Sequence, residues 1–152
     1  MFRTTVRGAL LAAAIAGPLL LNSPAQAATY DGVDPISSGC AATAITAETA
    51  SIRNAAHTGV IGYIDLRYST HCRTVWGRVR TTATDSATAG LTRNSDSAHE
   101  YCGPSTWSSD LGAYSCYTPM LNDANVTSSA SGAIDEIYDG QSVVDEASTA
   151  NY

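Results

Sequence analysis

From Gly59 to Thr82 apolar and polar side chains alternate almost without interruption. Gly62, Ile64, Leu66, Val75, Gly77 and Val79 fall on one phase, and Tyr63, Asp65, Arg67, Thr74, Trp76, Arg78 and Arg80 on the other. Successive residues of a strand point to opposite faces, so a period of two predicts strands at Gly59 to Ser69 and Arg73 to Thr82. Setting Ser69 opposite Cys72 across Thr70-His71 makes a hairpin in which Leu66 meets Val75, Ile64 meets Gly77 and Gly62 meets Val79. That register gives one apolar face and one mixed face, the latter with Asp65 opposite Trp76, Arg67 opposite Thr74 and Tyr63 opposite Arg78.

The same reading predicts strands at Ala42 to Ile52, Ser86 to Thr92, Ala113 to Leu121 and Ile134 to Tyr138. The alanines of the first leave a helix open there, and Asp135 to Ala147 is compatible with a short C-terminal helix. Turns are announced by Asp31-Gly32-Val33-Asp34-Pro35, Asn54 to Gly59, Cys102-Gly103-Pro104 and Asp139-Gly140. Several short strands at this spacing point to an all-β fold, a small disulfide-stabilised sandwich or barrel.

The first residues break this pattern. Arg3 and Arg7 precede an apolar stretch from Gly8 to Leu21, and Asn22 to Ala27 ends in small residues around Gln26. A basic end, a short apolar core and a small-residue site form the layout of a secretory signal. Cleavage is expected after Ala27, leaving residues 28–152 as one secreted domain. A bilayer span needs about 20 apolar residues, more than this core supplies, and no later segment is long and apolar enough either. Without the leader six arginines face fourteen acids, a net charge of −8. A chain this acidic is repelled by phosphate backbones, so nucleic acid is not an expected partner.

Four cysteines, Cys40, Cys72, Cys102 and Cys116, follow the leader. An even number in an exported chain predicts two disulfides. Three connectivities are open; sequential pairing is the preferred one. No C-x-x-C or Cys/His cluster at zinc spacing is present, so no metal is expected to bind the cysteines.

Three segments carry a resemblance. Asp65-Leu66-Arg67-Tyr68-Ser69-x-x-Cys72-Arg73-Thr74-x-Trp76-Gly77-Arg78 resembles the signature of the YjfA family of small exported bacterial proteins. So do Asp31-Gly32-x-Asp34-Pro35-x-x-x-Gly39-Cys40 and Tyr117-Thr118-Pro119-Met120-Leu121-Asn122-Asp123. The resemblance implies a Gram-positive, especially actinomycete, source and implies that Cys40 and Cys72 are the framework pair. Cys102 and Cys116 lie outside those segments and look like an addition. Some members of the family form the outer part of membrane-bound regulators. The resemblance implies no particular reaction.

Candidate chemistry gathers on the mixed face of the hairpin. Tyr63, Asp65, Arg67, Trp76 and Arg78 combine flat aromatic surface with forked donors, a mixture enriched at recognition hot spots. The competing reading is that a second layer or a loop covers Trp76 while Asp65 and Arg67 make ordinary ion pairs. Asp31 and Asp34, with Asp123 or Asp139, offer carboxylates of the kind calcium takes, but the spacing is not that of an EF-hand loop and Asp-Gly and Asp-Pro are turn dipeptides. Calcium is therefore unsupported, and no other cofactor is expected. His57, His71 and His99 are expected in loops, with neither a Gly-x-Ser-x-Gly elbow nor a His-Glu-x-x-His motif beside them, so no catalytic residue is named.

The function expected from these features is a non-enzymatic extracellular binding module for a glycan, a peptide or a protein. The alternatives are a small secreted hydrolase and a protease inhibitor presenting the Cys102 to Cys116 loop.

Overall fold

The hairpin of β2 (Val60–Ser69) and β3 (Thr74–Thr81) forms with a different register from the one alternation suggested. In the computed structural model, which describes residues 30–152, Ser69 pairs with Thr74, Leu66 with Gly77, Asp65 with Arg78 and Tyr63 with Arg80. The turn spans Thr70 to Arg73 and ends at Arg73 with φ 54°, whose N–H donates to the Ser69 carbonyl at 2.8 Å. Cys72 belongs inside that turn because its N–H donates to the Ser69 hydroxyl at 3.2 Å and its sulfur is bonded to Cys40. The slip from the expected pairing is two residues. An even slip leaves every side chain on its expected face.

Ile64, Leu66, Val75 and Val79 are accordingly fully buried on the inner face. Gly77 faces inward as well, and a Cβ there would stand 2.8 Å from the Gly90 carbonyl oxygen. Glycine at that position lets two sheets approach closely.

The remaining strands are β1 (Ala44–Arg53), β4 (Ala87–Arg93), β5 (His99–Cys102), β6 (Thr106–Ser108), β7 (Ala113–Tyr117), β8 (Leu121–Asn122), β9 (Ser128–Tyr138) and β10 (Gln141–Ser148). One sheet runs β1-β2-β3-β7-β6 with β8 also beside β3, and the other runs β10-β9-β4-β5. Every pairing is antiparallel. Ile52, Ile64, Leu66, Val79, Leu91 and Ile134 lie at the centre of the core between the two sheets. The all-β expectation holds, as a sandwich of two antiparallel sheets.

Neither helical option is taken. Ala42 to Ile52 passes from a short 3-10 turn, Cys40–Thr43, into β1. Asp135 to Ala147 lies in the β9–β10 hairpin, folded about Asp139 and Gly140, both at positive φ. Asp-Gly tolerates that conformation at both central positions, which is what a two-residue hairpin turn demands. His99 opens β5 rather than lying in a loop.

Both disulfides follow the sequential pairing. Cys40–Cys72 joins residues 32 apart and Cys102–Cys116 residues 14 apart. The second ties β5 of one sheet to β7 of the other. Among the described residues no helix is long and apolar enough to cross a membrane. The expected signal segment and its cleavage site after Ala27 lie outside the described residues.

Candidate binding face

Alternation along β2 and β3 sends Asp65, Arg67, Arg78 and Arg80 to the outer side of their sheet, away from the second sheet. Asp65 is only 1% exposed and is the floor of this face. Its Oδ2 accepts from Arg78 Nη2 at 2.8 Å, Arg78 Nε at 3.2 Å and Arg80 Nε at 3.0 Å. Its Oδ1 accepts from the Thr49 hydroxyl of β1 at 2.8 Å. Burial alone would raise the Asp65 pKa; the bonds from Arg80, Arg78 and Thr49 outweigh it and hold the carboxyl below its ordinary value.

Arg67 completes the cluster without a carboxylate of its own. It donates to the Thr46 hydroxyl and, through Nη2, to the Ala44 carbonyl at 3.2 Å, both neutral. Burial, then the nearby charge of Arg78, pushes its pKa below the ordinary arginine value, with Asp65 offsetting only part of that. Arg80 lies over the Tyr63 ring, 4.3 Å from its centroid. Three guanidiniums therefore surround one carboxylate. Glu48, the other acid on these strands, pairs with the inward-facing Leu66 and does not join them. On an acidic chain this is a local surplus of positive charge held on a rigid sheet.

Trp76 shares the outward phase but is not open to a ligand. It is 4% exposed, in a cluster with Cys40 and Met120 against which Tyr30, Val33, Ala41, Ala44 and Cys72 pack. The segment before β1 crosses the outer side of the sheet, held by Gly32 N–H to the Met120 carbonyl and Met120 N–H to the Val33 carbonyl, both 2.9 Å. The expected aromatic platform is thus corrected: a loop covers Trp76, and the accessible face consists of Tyr63, Arg67, Arg78 and Arg80 above Asp65. Arg80 sits two residues beyond Arg78 on the same strand phase; that phase was the signal that it belongs to the face.

Three of the acids suggested for calcium, Asp31, Asp34 and Asp123, are engaged elsewhere. Asp31 accepts from Asn122 N–H at 2.6 Å and from Arg93 Nη1 at 3.0 Å. Arg93 also grips Asp96 at 2.7 Å; that hydrogen bond, with help from the Ala98 N–H, holds the Asp96 carboxyl at about 2. Asp34 accepts from the Ile36 and Ser37 N–H groups, and Asp123 from the Ser128 hydroxyl at 2.6 Å. Asp139 stands in the β9–β10 turn. Among the described residues no three His, Cys, Asp or Glu side chains converge as metal ligands would.

A second acidic feature lies where β9 and β10 meet the β1–β2 turn. Glu136 accepts from the Ala55 N–H at 3.0 Å, and Asp145 is 9% exposed with an Oδ2 that no donor reaches. Burial, then a hydrogen bond and like charge from Glu136, raises the Asp145 pKa, while Ala55 N–H and His57 act the other way. Glu136 also borders a surface depression of about 510 Å³ with Thr84, Ser86 and Asp135. No arginine of the cationic face borders it.

Two comparisons with known proteins bear on this architecture. A family described as a protein of unknown function (DUF2690) matches residues 28–131. The chain belongs to that family. The uncharacterized protein YjfA of Bacillus subtilis (strain 168) is 33% identical over 139 residues, covering 86% of this chain and 85% of the relative. No solved structure matches. The three segments that carry the resemblance meet at one place in the fold. Asp31 to Cys40, the β2–β3 hairpin and Tyr117 to Asp123 together build the cap over Trp76, joined by the Asp31–Asn122 bond and by Thr118 N–H to the Gly77 carbonyl at 2.9 Å. In this member of the DUF2690 family those segments are first of all a packing device, and the arginine face is what they leave open beside it.

Proposed function

We propose that this chain is an extracellular, non-enzymatic binding module whose β1–β3 face holds carboxylate or phosphate groups of a glycan, peptide or protein at the cell surface. The observation that carries the reading is Arg67, a half-buried guanidinium with neutral partners beside two arginines that already share Asp65. Planar guanidiniums match carboxylate and phosphate oxygens in paired hydrogen bonds, and an incoming anion relieves the repulsion among them. The two disulfides support an oxidising, extracellular setting.

The test is an array carrying acidic glycans and peptides beside their neutral counterparts, probed with the oxidised chain from Ala28 to Tyr152. Binding should favour the acidic members, weaken with salt, and fall in Arg67→Gln. Equal binding to acidic and neutral members would remove the reading.

A small hydrolase is the second reading, supported by the Glu136–Asp145 pair beside a depression. Adjacent carboxyls, one of them raised in pKa by burial, are an arrangement that acid–base catalysis uses. Burial of Asp145 and the engagement of Glu136 with the Ala55 backbone favour a structural role, and turnover lost in Glu136→Gln would reverse that preference.

A further inference from the structure

The chain has two tryptophans, and the structure treats them oppositely: Trp76 is 4% exposed and Trp107 is 58% exposed. Trp107 is the central residue of β6, a three-residue strand at the sheet edge whose one neighbour is β7. It pairs with Tyr114, and the two rings meet edge to face with centroids 5.3 Å apart and planes at 76°. Tyr114 in turn pairs with Thr81, which pairs with the inward-facing Gly62. Trp107 therefore projects to the side of the sheet opposite the arginines.

This indole is exposed yet held. Its hairpin lies within the loop closed by Cys102–Cys116 and turns at Gly112, φ 59°. An aromatic side chain buries roughly 150–250 Å² when it is used in a core, so leaving one outside forgoes a large gain. Tyr114 fixes the ring against the sheet, and little side-chain freedom remains to be lost on binding. Thr106 and Ser108 alternate to the other face of β6, and the turn that follows carries Ser109 and Asp110 ahead of the exposed Leu111, so polar groups interrupt any continuous apolar surface beside the ring.

That mixture selects a ligand chemistry. A β-linked pyranose with equatorial hydroxyls presents a flat C–H face for an indole and a rim of hydroxyls for the Ser109 and Asp110 side chains of the adjoining turn. A protein partner would require an interface of about 1,000 Å² or more with an apolar centre, for which one tryptophan on a three-residue edge strand is too small. We propose that Trp107, braced by Tyr114, is a stacking platform for a neutral β-linked pyranose unit of a polysaccharide. The platform is independent of the arginine face: the two use different residues on opposite sides of the sheet.

Intrinsic fluorescence tests this directly, because Trp76 is an internal reference shielded from solvent. The oxidised chain from Ala28 to Tyr152 is titrated with β-1,4-linked N-acetylglucosamine oligomers and with cello-oligomers, reading emission and acrylamide quenching. The expected result is a blue shift and protection of the exposed tryptophan by at least one series, retained in Arg67→Gln. Affinity for the oligomer that protects the native chain is then compared by calorimetry, where Trp107→Ala should bind at least about tenfold more weakly, equivalent to ~1.4 kcal/mol, with the Trp76 emission and both disulfides unchanged. No protection by either series, or calorimetric binding undiminished in Trp107→Ala, overturns the proposal. Loss of acidic-ligand binding in Arg67→Gln with sugar protection intact would touch the arginine face alone.

Discussion

Asp65 and Arg78 face each other across β2 and β3, with Nη2 of the arginine 2.8 Å from a carboxylate that is 1% exposed. Arg80 joins the same carboxylate from two residues along the strand, at 3.0 Å. One buried negative charge thus holds two positive ones in place. A buried pair of this kind adds little net stability by itself, but losing one partner strands the other charge.

Asp65→Ala should therefore be among the most damaging single changes, destabilising the fold by roughly 3–5 kcal/mol. Asp65→Asn keeps the shape and loses the charge, leaving three guanidiniums with no anion between them. The denaturant midpoint at neutral pH measures both. Because the folded-state carboxyl titrates below its ordinary value, its stabilisation is present above the unfolded pKa, about 3.9. It is lost as pH falls through the depressed folded value. The gap between the native chain and Asp65→Asn should accordingly narrow as the solution is acidified through that range.

The two tryptophans give a paired prediction. Trp76→Ala removes a side chain enclosed by Cys40, Met120 and the segment before β1, and large-to-small changes at such sites cost about 3–5 kcal/mol. Trp107→Ala removes one that is mostly in water, and changes of that kind usually stay within about 0.5 kcal/mol. Thermal or chemical unfolding of the two variants side by side checks this. Equal losses would mean that Trp107 supports the β6–β7 hairpin as much as Trp76 supports the cap.

What the sequence disclosed, and what it hid, follows the range of the interactions concerned. The faces of β2 and β3 were legible because a period of two survives any even slip of register. The slip itself was not, since turn length depends on the Ser69 hydroxyl and on a sulfur bridge to Cys40, which alternation does not encode. Trp76 pointed outward as its phase said; its cover comes from a segment that is distant in the chain and shows no periodicity. The Asp139-Gly140 turn was visible, yet Ile134, Ile137 and Val144 fit a helical spacing as well as a hairpin, so local pattern alone left both open. Trp107 lies in a strand too short to show alternation, and its exposure was not readable at all. Arg80 was legible as well, on the same phase as Arg78.

Asp145, beside Glu136, sets the opposite sign of pH dependence from Asp65. The Asp145 pKa is raised in the folded chain, first by burial and then by Glu136. An acid that binds its proton more tightly when folded favours the native state fully below the unfolded pKa, about 3.9. That advantage is lost as pH rises through the raised folded value. At neutral pH the pair is therefore a liability, and Asp145→Asn, whose amide can donate to Glu136, should raise the melting temperature. The gain should shrink toward zero as the pH is lowered past the ordinary carboxylate range. A gain that is the same at acid and neutral pH would point to packing rather than to charge.

The two disulfides should separate cleanly by what they protect. In the chain-entropy account a bridge of either span contributes roughly 3–4 kcal/mol by limiting the unfolded chain, so Cys40→Ser/Cys72→Ser and Cys102→Ser/Cys116→Ser are expected to lose similar stability. Their local effects differ because their surroundings differ. Cys40–Cys72 anchors the segment that covers Trp76, so its removal should let solvent reach that indole and shift its emission to the red. Cys102–Cys116 instead holds β5 to β7 and frames the hairpin that carries Trp107. Removing it should leave Trp76 shielded and loosen the bracing of Trp107 by Tyr114, read as faster hydrogen exchange confined to β5, β6 and β7. If both double variants exposed Trp76 alike, the cap and the β6–β7 edge would have to unfold as one unit, and the independence of the two candidate faces would go with it.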